Sequence, residues 1–142
     1  MAACLALAVL AFAIYKTPPP DPSLLRFEVA GNLAYGYGVT DARSAGVVRD
    51  LVRDYPQVDT LVLKFMAGTK NADANLKIAR RIRKEGLRTH LDADSRIASG
   101  AVDLFLAGAE RTMDCGAIIG VHRWSTGGLD VVKGGVIYDS RQ

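Results

Sequence analysis

Cysteine is scarce. Cys4 and Cys115 are the only two, one in the N-terminal apolar segment and one in the body of the chain. There is no CxxC pair, so no zinc pattern is written here, and a Cys4–Cys115 bridge is not expected. Long apolar runs are missing too. The opening "MAACLALAVLAFAIY" is shorter than the ~20 residues a helix needs to span a bilayer. An excess of one charge is also absent. The formal net charge is +3, too mild to imply nucleic acid. Aromatic residues make up only 7% and do not cluster, which argues against single-strand stacking platforms. No phosphate-binding P-loop is present, because its spaced glycines and Lys-Ser/Thr pair are missing.

What remains is an ordinary globular balance, 49% hydrophobic and 23% charged over 142 residues. Residues 1–15 are uncharged and lack a basic n-region, and "AFA" before Ile14 is like a small-residue cleavage site. We read them as a signal or anchor segment. Residues 16–24 carry "TPPPDPS", a proline-rich linker that makes a semi-rigid spacer. A buried N-terminal helix is the alternative, and the proline run opposes it. The domain is therefore expected outside the cytoplasm, periplasmic or extracytoplasmic, with membrane contact only through the N-terminal segment.

Residues 25–124 alternate strand and helix patterns. "LLRFEVAGNL" reads as a strand ending in a Gly-Asn turn, and "AYGYGV" as a second strand. "ARSAGVVRDLVRDY" has Ala45, Val48, Leu51 and Val52 on one face, as in a helix started by Thr40 and Asp41. "VDTLVLKF" suits a strand buried on both faces, and "MAGTKNAD" reads as a loop that breaks it. The next helix presents Ala72, Leu76, Ala79 and Ile82. Its cations, Lys77, Arg80, Arg81, Arg83 and Lys84, form a solvated face rather than an anion site. "LRTHLDAD", "ASGAVDLFLAG" and "AIIGVHRW" follow as strand, helix and strand, giving an α/β domain with a mostly parallel sheet. Residues 125–142 are a glycine-rich arm.

Three features bear on chemistry. Ser99, between Ala98 and Gly100, stands where a helix begins. It is either a nucleophile beside exposed amides or, on the serine alone, more ordinarily an N-cap. His122 ends an apolar strand, where α/β sites sit, and could act as a base or as a structural residue. The "FMAG" stretch could offer amides to an oxyanion. Asp103 is a carboxylate inside an apolar run, which is costly if buried unpaired. His90, Asp92 and Asp94 alternate and would share a strand face, but such a trio is ordinarily solvated, and no metal is assigned.

The order of "FMAG" (Phe65–Gly68), "IRKEGLRT" (Ile82–Thr89), "IASGA" (Ile97–Ala101) and "FLAGAERTMDCGAIIGVH" (Phe105–His122) resembles the Clp peptidase/crotonase superfamily. It is most similar to periplasmic Clp-peptidase-like proteins, roughly from Phe27 to Trp124. The resemblance implies an α/β spiral of β-β-α units and a homo-oligomer. It implies a serine hydrolase acting on a peptide or protein, without a cofactor. Ser99 would be the nucleophile, His122 the base, and the amides of Ala67 or Gly68 and of Gly100 the oxyanion hole. Asp130, Asp139 and Asp103 are the candidate acids. The family's two loop glycines are Ala67 and Gly68 here, and the cysteines flanking its serine are Ile97 and Ala101. Lys64 and Met66 stand where small or polar residues are usual, and Met66 could fill the site. These departures leave a catalytically degenerate subunit that binds peptides or serves assembly as the alternative. Crotonase-type acyl-CoA chemistry is a third reading, disfavoured by the expected Ser99–His122 pairing.

Overall fold

The computed structural model describes residues 23–122, 129–133 and 136–138, with backbone only for His122 and the last two strands. The N-terminal apolar segment and most of the proline linker lie outside the described residues. Among those described, no helix is long and apolar enough to cross a membrane.

The chain opens with a hairpin. β1 (Arg26–Ala30) turns at Gly31-Asn32 into β2 (Leu33–Thr40). Helix α1 (Ser44–Asp54) buries Ser44, Val48 and Leu51, the i, i+4, i+7 stripe of a helix. It starts later than Thr40 and Asp41 suggest, because Asp41 is drawn into a turn. Its N–H donates to Ser44 Oγ (2.8 Å), and its carboxylate is held below the usual range chiefly by Arg43.

β3 (Thr60–Thr69) is the spine of the fold. It lies parallel to β2 along most of its length. Its other edge is divided: Thr60–Val62 pair with β4 (Arg88–Leu91), while Phe65 and Met66 pair with β5 (Arg96–Ala98). The division recurs one unit later. β6 (Arg111–Met113) lies on β4, and β7 (Ile118–His122) lies on β5, again parallel. Each repeat is thus strand, turn, strand, helix. The helices are α2 (Ala72–Lys84) after β3 and α3 (Gly100–Leu106) after β5. β8 (Leu129–Lys133) and β9 (Val136–Tyr138) add antiparallel strands beyond β7.

The core runs between the sheet and the helices. Leu61, Leu63, Met66, Ile78, Ile82, Leu91, Ile97 and Leu104 are at most 2% exposed. Burying each such side chain is worth about 1.5–3 kcal/mol. α2 buries Ala74, Asn75, Ile78 and Ile82, not the stripe through Leu76, which is exposed.

One surface network ties the base of the first repeat. Asp59, just before β3, accepts from Arg88 Nη2 (2.5 Å), Thr60 Oγ1 (2.7 Å) and Asn32 Nδ2 (3.0 Å). These bonds, Arg88's first, depress its carboxyl to about 2. A depressed carboxyl adds stability that is full above its unfolded value, about 3.9, and is lost as pH falls through its folded value. Wild type should therefore exceed Asp59→Asn in thermal midpoint above about pH 4, and the gap should close between about pH 4 and pH 2. A constant gap across a pH series of melts would contradict this.

Candidate functional site

β3 does not end where "MAGTKNAD" suggests a loop. It stays extended through Thr69 because β2 pairs with it as far as Thr69, while β5 holds Phe65 and Met66 on the other edge. Met66 therefore packs in the core, 1% exposed. Ala67 and Gly68 are the strand's last turn of pleat, beside the β5–α3 junction.

That junction is strained. Ser99 has φ +53° and ψ −126°, the one non-glycine residue with positive φ among those described. Such a backbone costs about 1–3 kcal/mol and persists only where its surroundings fix it. Ser99 stands at the N-cap position of α3, but its side chain makes no cap hydrogen bond. Its own N–H donates to Gly120 O (3.0 Å), which locks the turn to β7.

The partners crowd in from every side. Gly68 has φ +131°, and a Cβ there would stand 3.0 Å from Ser99 Cβ. At Gly100 a Cβ would fall 2.6 Å from Thr69 Cγ2 and 3.0 Å from Asn75 Nδ2. The end of β3 and the start of α3 thus touch through two glycines, and side chains there would push them apart.

Asn75, from α2, braces the junction. It is 1% exposed. Its Nδ2 donates to Gly100 O (2.9 Å) and to an Asp103 carboxylate oxygen (3.1 Å). Its Oδ1 accepts from Thr40 Oγ1 (2.8 Å). Sequence reasoning missed Asn75. The one signal was its spacing, three and seven residues before Ile78 and Ile82, which puts a polar side chain on an apolar stripe.

A groove of about 410 Å³ runs along the outer face of β3, β5 and β7 as far as Ala67 and Ala98, next in the chain to Gly68 and Ser99. Phe65, Ala67, Arg96, Ala98, Ile118 and Gly120 line it, with Met66 and Ile97 beneath. Phe65 is 51% exposed, an unusual position for a phenylalanine. Gly120 leaves the groove open, since a Cβ there would stand 3.1 Å from Ala98 Cβ.

Of the residues singled out in the sequence, the structure brings together Ala67, Gly68, Ser99 and Gly100. His122 is the last residue of β7, and its side chain lies outside the described residues. Asp130 pairs with Val121 in the β7–β8 ladder, and its side chain lies outside as well. Asp139 is outside altogether. Asp103 avoids the cost of burial by lying exposed on α3 with Asn75 as a donor.

A second cluster lies at the β4–β5 and β6–β7 turns. Lys64 bridges Asp92 (2.7 Å) and Asp94. Burial pulls this ammonium's pKa down, but its hydrogen bonds to Asp92 and then to Asp94 outweigh it, and the net shift is upward. His90 lies beside Asp92 and Asp114 (Nε2 to carboxylate 3.2 and 3.6 Å). The expected trio is thus divided: Asp94 turns to Lys64, and Asp114 takes its place.

No protein-family model matches the chain. No curated protein matches it either. Solved structures do. A methylmalonyl CoA decarboxylase superimposes with a TM-score of 0.51 at 10% identity, covering 69% of this chain and 48% of that one. The same enzyme's name appears on a complex with 2S-carboxypropyl CoA, at 0.50 and 9%, covering 68% and 48%. An enoyl-CoA hydratase/isomerase family member gives 0.52 at 14%, covering 73% and 52%. The fold is crotonase-like. The chain spans about half the length of these relatives.

These likenesses correct the expected kinship. The similar solved structures are hydratase, isomerase and decarboxylase enzymes, not Clp peptidases. The reading as a serine peptidase built on a Ser99–His122 pair falls with it, as does that of a degenerate Clp-like subunit. So does the expected peptide or protein substrate. Short motifs misled because small residues at a tight strand-to-helix turn meet a packing need and do not by themselves specify a reaction.

Proposed function

We propose that this protein binds an acyl thioester and polarises its carbonyl. The observation that carries the proposal is the apolar groove whose lining reaches Ala67 and Ala98, the chain neighbours of Gly68 and Ser99 at the strained junction. The acyl chain lies along Phe65, Ala98 and Ile118. The carbonyl oxygen sits at the backbone amides of Ala67 or Gly68 and of Gly100. Arg96, at the groove's edge, supplies a cation for an anionic part of the ligand. Donors fixed in place stabilise negative charge on that oxygen without reorganising, the condition for enolate or tetrahedral chemistry at a thioester. Ser99 acts in this scheme through its backbone, since its strained turn sets the direction of the Gly100 amide. The fold supports the proposal, as its solved relatives are named for CoA thioester reactions.

Calorimetric titration of the full chain with butyryl-CoA and with free CoA tests it. Burying three further carbons, at about 0.8 kcal/mol each, predicts at least about tenfold tighter binding of the acyl form. Ala67→Trp, which fills the groove from an exposed strand position, should abolish that preference. Equal affinity for the two ligands, or binding of neither, would overturn the proposal.

A further inference from the structure

The β4–β5 and β6–β7 turns stack on one another. Gly116, at φ +107°, lets its turn approach so closely that a Cβ would stand 2.9 Å from Ala93 O. The pairing of His90 with Thr112 and of Leu91 with Met113 sets their register. Stacking brings His90 and Asp92 of one segment together with Asp114 of the other. Their ligand atoms all lie within 4.8 Å of one another.

The chemistry of this trio is unbalanced. Thr112 Oγ1 lies 2.8 Å from His90 Nδ1. In the tautomer where Nδ1–H donates to it, Nε2 is an acceptor facing two carboxylate oxygens. Three electron-pair donors then face one point, which calls for a cation. The spacing suits one. Ligands about 2.0–2.1 Å from a tetrahedral zinc stand about 3.3 Å apart. The two Nε2–carboxylate distances, 3.2 and 3.6 Å, bracket that value.

The surroundings suit one as well. Metal-bound histidines donate their other ring N–H to a fixed acceptor, the role Thr112 fills. The second oxygen of Asp92 is held by Lys64, which orients the first. His90 and Asp92 line a cleft of about 390 Å³ together with Arg88, Glu110 and Thr112, which leaves room for a fourth ligand on their side of the trio. The cleft shares no lining residue with the apolar groove.

We propose that His90 Nε2, Asp92 Oδ1 and Asp114 Oδ2 form a three-ligand site for a divalent cation of the zinc type, with one coordination position open to the cleft. The competing arrangement is a proton on Nε2 and a plain ion pair.

Titration of the chelator-stripped full chain with Zn²⁺ tests the site, with Co²⁺ absorption as a readout of coordination. One equivalent should bind. Asp114→Asn and His90→Gln should each weaken binding by about tenfold or more. Asp114 has an exposed side chain, so its variant remains informative even if His90→Gln misfolds. Cys115→Ser and Asp73→Asn should bind as wild type does. The site is overturned if the folded wild type takes up no Zn²⁺. It is equally overturned if Asp114→Asn binds undiminished, or if Cys115→Ser alone removes the ion.

Discussion

Asn75→Leu should cost about 3–4 kcal/mol of stability. The side chain fits the volume, so packing is not the main loss. The loss is that Thr40 Oγ1 surrenders its acceptor where no water reaches, Thr40 being 0% exposed and Asn75 itself 1%, while Gly100 O loses its side-chain donor and keeps only its helical one. Each buried polar group left unpaired costs about 1–3 kcal/mol. Asn75→Asp separates the two halves of the brace. It keeps an acceptor for Thr40 but has no donor for Gly100 O, and it sets a buried carboxylate against Asp103. Protonation restores a donor, so the defect of Asn75→Asp relative to wild type should shrink as pH falls. Urea unfolding of both variants across a pH series measures this. A pH-independent defect would mean that Asn75 acts by volume alone. Because the bond to Gly100 O fixes the start of α3, butyryl-CoA affinity should fall with both variants.

How far the sequence could reveal this site depends on what each residue contributes. The alternation of β-branched runs with helical stripes carried the α/β architecture, since the spine strand and the first helix depend on apolar periodicity alone. Val48 and Leu51 are buried as their spacing implies. In α2 apolar spacing points to Ala72, Leu76, Ala79 and Ile82, whereas the buried stripe is Ala74, Asn75, Ile78 and Ile82, because Asn75 occupies a buried position that only a hydrogen-bond network makes tolerable. β5 and β6 have three residues each, too few for alternation to register. The reach of β3 through Thr69 comes from its pairing with Val39 and Thr40 of β2, which no local propensity encodes. Ser99 stood out by its small neighbours, but its positive φ belongs to the junction. Asp114 had no local signal, for it joins His90 only through the stacking of two turns far apart in sequence. Motif likeness led to the right fold and to a peptidase reading that did not hold, because small residues at a tight strand-to-helix turn serve packing whatever reaction a fold carries.

Gly68→Ala should cost about 2–6 kcal/mol of stability. Two costs combine. A φ of +131° is one that side chains rarely adopt, worth about 1–3 kcal/mol. The new Cβ also meets Ser99 Cβ at 3.0 Å and Ala98 O at 3.4 Å, overpacking of about 1–3 kcal/mol. Ser99→Gly separates them. Alone it relieves the strain at φ +53° while loosening the unfolded chain, so its net effect should stay within about 1 kcal/mol. Combined with Gly68→Ala it removes the atom that the new methyl strikes, and leaves the strain at residue 68 untouched. The double variant should therefore recover about 1 kcal/mol beyond the sum of the singles, a coupling that adjacent side chains show and distant ones do not. Affinity for butyryl-CoA should fall in Gly68→Ala and return in part in the double variant, since the backbone of β3 can then settle back against α3. Strict additivity in unfolding would mean that the two residues do not press on each other. Affinity that ignored the stability change would move the carbonyl contact away from this junction.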